Sequence, residues 1–302
     1  MLQSDIQAWL DQTMQDWLGG PARVDQVIDG FYGQVYLLEL AGGGRRVIKR
    51  FRIPGFAVQE AKATWLLRQR TPAHLAVPEI LRFELAQQRQ WDCFLMTFVP
   101  GVNATETPVE HADALAEQIV ALQRHWHAQL GEAFEDLDGV RYPTFLDSYR
   151  AYLSKRCAFL QSAEGFSSGL KSRLLATLSG LEARLQPLAA DPPVFIHDDG
   201  HAGNYLVDPV TWKLCAVIDP AGARFSHREL DLFHLPDARA DYRLLERYLA
   251  QSPCAPGWPA RRWLFSIWDD IKHAEFTGWR DEAWFERKLA EFEAADRVAL
   301  SA

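Results

Sequence analysis

Apolar residues recur at helical spacing from the start of the chain. Ile6, Trp9, Leu10, Met14, Trp17 and Leu18 fall on one face of an amphipathic helix that Gly19-Gly-Pro21 ends. The period then drops to two. Runs around residues 24–28 and 34–40 read as strands separated by Asp29-Gly-Phe-Tyr-Gly33, and Ala41-Gly-Gly-Gly44 turns the chain into a third strand, Val47-Ile-Lys-Arg-Phe51. Pro54-Gly55 breaks it. Residues 58–70 read as a helix with Ala61, Trp65 and Leu66 on its packed face, and two further strands are expected over 78–83 and 91–99, the second closed by Pro100-Gly101.

Past that point strand signals give way to helical ones, which sets a boundary between residues 1–100 and 101–302. Residues 112–130 form a strong helical pattern through Leu115, Ile119, Leu122 and Trp126, and 145–160 and 170–188 fit further helices. Short strands around Phe195, 205–207 and 214–218 interrupt them. Everything after Leu230 reads as helix, with Trp263, Trp268, Trp279 and Trp284 as expected core anchors. The pattern is α+β: a small antiparallel sheet lobe preceded by a helix, then a larger, mainly helical lobe.

With 302 residues, 48% hydrophobic and 24% charged, the chain has ample length and composition for a large folded core, which excludes the disordered class. A net charge of -8 argues against nucleic acid or an anionic membrane as partner. No apolar run reaches the ~20 residues of a membrane span, and no secretory leader is recognisable at the start. Cys93, Cys157, Cys215 and Cys254 are scattered with no CxxC, as expected of reduced thiols in a cytoplasm.

The chemistry concentrates in Val194-Phe-Ile-His-Asp-Asp-Gly-His-Ala-Gly-Asn204 and Val217-Ile-Asp219. Asp199 stands five residues before Asn204, and Asp219 ends the next apolar run. Phosphoryl transfer needs a carboxylate beside the incoming hydroxyl and oxygen ligands for a hard cation, which is what an acid, an amide and a second acid in this order supply. Upstream, Gly30 and Gly33 flank a hairpin whose backbone can approach phosphate oxygens. Lys49 lies mid-strand among apolar residues with Glu60 eleven residues on, spaced for a strand-to-helix ion pair that holds an ammonium on phosphates. The backbone of Met96, Phe98 and Val99, between the two lobes, stands where adenine would be read.

Together these residues resemble the aminoglycoside phosphotransferase/choline kinase family, over roughly residues 24–232. The family loop H-G-D-x-H-x-G-N is matched by His197-Asp-Asp-Gly-His-Ala-Gly-Asn204, and its I-D-x…D-L by Ile218-Asp-Pro…Leu230-Asp-Leu232. The resemblance implies a bilobal protein-kinase-like fold that uses ATP and Mg²⁺. By it Asp199 is the catalytic base, Asn204 and Asp219 hold the metal, Lys49 with Glu60 positions the ATP phosphates, and His197, His201 and Asp231 brace the loop. The acceptor is then a hydroxyl of a small molecule: a sugar, amino sugar, aminoglycoside or choline-like compound. The segment Asp219-Pro-Ala…His227-Arg-Glu-Leu-Asp-Leu232 is also similar in part to fructosamine kinases, which adds a sugar amine to the candidate acceptors. Two positions depart from the family loop. Asp198 replaces a glycine, adding a carboxylate beside the base, and Gly200 replaces a leucine, which is expected to loosen the loop.

Three other readings compete. His197, Asp199 and His201 alternate, so on one strand face they would bind a metal for a hydrolase. A silent nucleotide-binding module is disfavoured because no base or metal ligand is missing. A protein Ser/Thr kinase would need an activation loop, and only about a dozen residues separate Asp219 from Asp231. Glu229, Asp269, Asp270 and Glu275 are read as surface charges rather than acceptor ligands. Oligomeric state is not specified by the sequence.

Overall fold

The computed structural model of the chain describes residues 3–20, 22–86, 91–220 and 222–301; Pro21 and Ala221, which enter the sequence motifs above, lie outside that set. Helix α1 (Gln3–Leu18) precedes strands β1 (Ala22–Asp29), β2 (Gly33–Leu40) and β3 (Arg45–Phe51), helix α2 (Phe56–Arg70), and strands β4 (Ile80–Glu84) and β5 (Cys93–Thr97). The strands form one antiparallel sheet in the order β1-β2-β3-β5-β4. Strand alternation divides its residues between two faces. Tyr36, Leu38, Ile48, Cys93 and Leu95 pack beneath Trp9, Leu10, Met14 and Trp17 of α1. On the other face Phe51 and Phe94 meet Phe56 and Ala57 of α2. Burying each of these large side chains contributes about 1.5–3 kcal/mol. The strand face opposite α1 also carries Lys49.

Helix α2 corrects the sequence reading. Its buried side chains are Phe56, Ala57, Glu60, Ala63, Thr64 and Leu67, whereas Trp65 is 61% exposed. The helix is rotated from the expected face because its phase is set by Glu60, which turns inward to meet Lys49. Positions 60, 63, 64 and 67 then follow as the inward stripe.

The helical lobe is built on Val109–His127, Phe145–Ser162, Trp258–Thr277 and Glu282–Ser301. Its core holds Trp126, Phe195, Phe265 and Trp268. The helix expected over 170–188 is instead Ser168–Ala176, Leu181–Leu185 and a 3₁₀ turn at Gln186–Leu188. Gly180, with φ of 75°, and Pro187, which has no N–H to donate, account for the breaks. Of the four tryptophans expected in the core, only Trp268 is fully buried. Trp263 and Trp279 are partly buried and pack against that core while also lining a cleft, and Trp284 lines the cleft at 38% exposure.

Two small antiparallel ladders present the motif loop. Val194–Ile196 pairs with Arg224–Ser226, and Tyr205–Val207 pairs with Leu214–Val217 and with Val102–Asn103. Ala76 bridges to Ala216, tying the segment after α2 to the strand that leads into Asp219. No helix among the described residues is long and apolar enough to cross a membrane.

Candidate active site

A cleft of about 880 Å³ lies between the sheet and the helical lobe. Gly30, Gly33, Lys49 and Glu60 line it from one side, and Asp199, Asn204 and Asp219 from the other. Lys49 Nζ donates to Glu60 Oε1 at 2.7 Å and to Asp219 Oδ1 at 2.5 Å, so one ammonium joins strand, helix and motif loop. Lys49 and Glu60 are buried, while the Asp219 side chain is half exposed to the cleft. Burial opposes the Lys49 charge, but the Asp219 and Glu60 carboxylates outweigh it and hold the ammonium above the usual lysine range. Burial pushes Glu60 up to about 7 against the pull of Lys49. Asp219 is held below the usual carboxylate range, Lys49 overcoming the cost of desolvation. Asp219 also has φ of 55°, a left-handed conformation that Asp adopts more readily than most residues and that clusters at functional sites.

The loop before it hangs on Asp231. The Asp231 carboxylate, fully buried, accepts from His197 N at 2.9 Å and Asp198 N at 2.5 Å, and lies 3.0 Å from His127 Nε2. The His197 ring stacks on Trp126, and its Nε2 donates to Ile218 O at 3.2 Å. Burial lowers its pKa, so the ring is neutral and serves as a strut between the two strand ends. Asn204 Nδ2 donates to Asp199 O at 2.8 Å and Oδ2 at 2.9 Å, fixing the Asp199 carboxylate. His201 Nδ1 accepts from Gly203 N at 2.9 Å, and His201 Nε2 lies 3.4 Å from Asp199 Oδ1. His197, Asp199 and His201 therefore share no strand face. Among the described residues no group of three or more His, Cys, Asp or Glu side chains is arranged to hold a metal.

His234 enters unannounced by the sequence. Its Nδ1 is 3.6 Å from both Asp199 Oδ1 and Asp237 Oδ2. Burial disfavours its charge, yet these carboxylates raise its pKa to about 9. No spacing rule marks a histidine three residues past Asp231, and only the fold brings it to the loop.

The two departures from the motif have physical reasons. Asp198 has φ of 69°, a conformation suited to glycine, and its Oδ2 is 2.5 Å from Arg224 Nη1. The added carboxylate thus belongs to an ion pair. At Gly200 a Cβ would come within 2.2 Å of Gln123 Nε2, which donates instead to Tyr205 OH at 2.8 Å. Gln123 fills the space beside the glycine.

Gly33 is demanded by close approach: a Cβ there would sit 2.1 Å from Arg50 O on β3. Gly30 is under no such constraint. Between them Tyr32 stacks on Phe56 and reaches across the cleft, its hydroxyl 2.5 Å from His273 Nδ1. Met96 lies near the end of β5, packed against the Phe51 and Phe94 cluster, with Phe98 beneath the Arg45 guanidinium; Met96, Phe98 and Val99 are not among the cleft-lining residues. None of the four acids read as surface charges is one. Glu229 is buried against Arg261, Glu275 pairs with Arg156, and Asp269 and Asp270 line the cleft in pairs with Lys272 and Lys288.

A sheet lobe whose lysine is joined to an acid at the end of a strand in a helical lobe defines a kinase-like phosphotransferase architecture. Residues 23–264 match the model of the Phosphotransferase enzyme family (APH), and the chain belongs to that family. Among curated proteins, a relative described only as uncharacterized, YcbJ of Escherichia coli (strain K12), is 27% identical over 237 residues, covering 76% of this chain and 78% of its own. Solved structures share the fold. A thermostable mutant of aminoglycoside phosphotransferase APH(4)-Ia, in ternary complex with AMP-PNP and hygromycin B, has a TM-score of 0.71 at 18% identity, over 95% of this chain and 98% of that one. A putative fructosamine-3-kinase from Thermobifida fusca YX-ER1 has 0.64 at 22%, over 95% and 98%.

Proposed function

We propose that the chain transfers the γ-phosphate of ATP to a hydroxyl of a small molecule, with Asp199 as the base. The observation that carries this reading is the continuous arrangement Glu60–Lys49–Asp219 beside Asn204–Asp199 on one cleft. Asn204 commits its amide nitrogen to Asp199, which leaves the amide oxygen, and Asp219 offers a cleft-facing carboxylate. An oxygen-only donor pair of this kind fits Mg²⁺. When bound by Asn204 and Asp219, the ion would neutralise charge on the phosphates. Lys49, held by Glu60, would orient the α- and β-phosphates under the turn of Gly30 and Gly33, in the cleft between lobes 1–100 and 101–302. The acceptor oxygen would form its bond to the γ-phosphorus as the bond to the ADP oxygen breaks, and its proton would pass to Asp199. Asn204 would keep that carboxylate in place, and His197, His201 and Asp231 would hold the loop.

A small acceptor is favoured over a protein. The stretch between Asp219 and Asp231 is taken up by the strand Arg224–Ser226 and the buried helix Glu229–Leu232, which leaves no long loop to dock a polypeptide. The complex of the APH(4)-Ia mutant with AMP-PNP and hygromycin B is in keeping with this. The test is transfer of labelled γ-phosphate from Mg-ATP into a metabolite extract. Wild-type protein is expected to label a small molecule, and Asp199→Asn to lose about 10²–10⁴-fold in rate with Mg-ATP still bound. Undiminished transfer by the variant would refute the role of Asp199.

A further inference from the structure

The other acids at the motif loop have partners of their own. Asp198 pairs with Arg224 and Asp219 with Lys49, while Asp231 accepts from the amides of His197 and Asp198 and faces His127. Asp199 is served differently at its two oxygens. Oδ2 accepts from the Asn204 amide, whereas Oδ1 is flanked by the rings of His201 at 3.4 Å and His234 at 3.6 Å. His234 reaches it from a well-anchored turn. It follows the buried helix Glu229–Leu232, its backbone N–H donates to Asp231 O at 3.3 Å, and its ring centroid is 3.8 Å from that of Phe233. The segment that pins the loop backbone through Asp231 thus also delivers an imidazole to Asp199. The His234 ring is buried at the wall of the cleft and stands between two carboxylates, Nδ1 being 3.6 Å from Asp199 Oδ1 and from Asp237 Oδ2. Its Nε2 is buried with no hydrogen-bond partner among the described residues. Buried polar atoms are rarely left unpaired, so packing alone does not account for a histidine here.

We propose that His234 is a positioning residue for the transfer: its imidazolium, set between Asp199 and Asp237, holds Asp199 Oδ1 for the acceptor hydroxyl and offsets the repulsion between that carboxylate and the phosphates of ATP. The inference rests on the phosphotransferase reading above. A carboxylate that takes a proton beside a γ-phosphate is an anion brought up to a polyanion, and inside a cleft that repulsion is stronger than in water. Lys49 does not relieve it, being committed to Glu60 and Asp219. The charged and titratable groups around the His234 ring are Asp199 and His201 of the loop, Asp237 of its own turn and Asp269 of the helix Trp258–Thr277, with Arg262 of that helix acting on Asp237. The carboxylates outweigh burial, so the ring keeps its proton up to about pH 9.

The experiment follows labelled phosphate from Mg-ATP into a metabolite extract from acid to alkaline pH, with ATP varied at a saturating amount of extract. His234→Ala should lower kcat about tenfold with the KM for ATP unchanged. His234→Asn, which keeps a donor near the Nδ1 position, should recover part of that loss. Wild-type kcat should fall as the pH rises through about 9, where the ring loses its proton, and both variants should lack this limb. Asp237→Asn removes one flanking carboxylate from an exposed side chain and should move the limb to lower pH. Wild-type kcat in the two His234 variants, or a limb unmoved in all three proteins, would refute the proposal and leave the kinase reading standing. A lowered thermal midpoint with an unchanged pH profile would assign His234 to packing and refute it as well. No label and no ADP from the wild type would bring down both readings.

Discussion

Two buried ion pairs in this chain look alike on paper and differ in how they are finished. Arg261 and Glu229 are each about 1% exposed and meet through two hydrogen bonds of 2.7 Å, and the remaining Arg261 donors end on the carbonyls of Pro256, Ala255 and Arg184. Lys49 and Glu60 are nearly as buried, but the lysine is shared with Asp219, whose carboxylate is half open to the cleft. The first pair is closed and satisfied. The second is left with an unfinished side facing space. A charge network that serves architecture spends all its donors internally, whereas one that serves a ligand keeps a polar edge exposed.

Breaking the two pairs should give opposite signatures. By removing one partner of a sealed pair, Arg261→Met should cost about 3–5 kcal/mol in chemical denaturation. Lys49→Met should leave the unfolding midpoint nearer to wild type, because Asp219 regains solvent and Glu60, raised by burial to about 7, can take up a proton, and should instead weaken ATP use; unchanged ATP kinetics would mean that the lysine only joins the lobes. Asp199→Asn, with its large loss of rate, is the functional extreme of the same comparison.

The open pair should also respond to pH in two directions. Burial raises Glu60 to about 7, above the ~4.3 of an unfolded glutamate. Its contribution to stability is therefore complete below about pH 4.3 and is lost as the pH rises through about 7. The ion pair with Lys49 needs the ionised carboxylate, so the KM for ATP should rise as the pH falls below about 7. Glu60→Gln should remove that acidic limb, and a limb that survives the substitution would belong to another group. The smallest effect is expected on the outer face of α2. Trp65→Ser should change stability by no more than about 0.5 kcal/mol, while Leu67→Ala on the inner face should cost about 2–5 kcal/mol.

That helix also marks the limit of what the sequence discloses. The strand order, the motif loop and the eleven-residue step from Lys49 to Glu60 are local patterns, and periodicity and spacing suffice to read them. The face of α2 was misjudged because apolar residues lie on both sides of it, and the deciding contact is polar and comes from another element. Trp284 departs from its expected core position for a related reason: hydrophobic spacing on a helix does not distinguish a core from an aromatic cleft wall. His234, and the partners Arg224 for Asp198 and Arg261 for Glu229, are meetings of distant segments with no periodic signature. The partner of Asp198 is 26 residues away and that of Glu229 is 32.

The tyrosine in the turn between β1 and β2 has a consequence for traffic through the cleft. Tyr32 is fastened to His273, and His273 Nε2 lies 3.0 Å from Asp269 Oδ2, a carboxylate in the wall of the cleft. Lifting the turn would break the Tyr32 contact and leave His273 held by Asp269 alone, which Lys272 also holds. One run of side chains thus joins the turn of the sheet lobe to the helical lobe across the mouth of the cleft, a latch between the two.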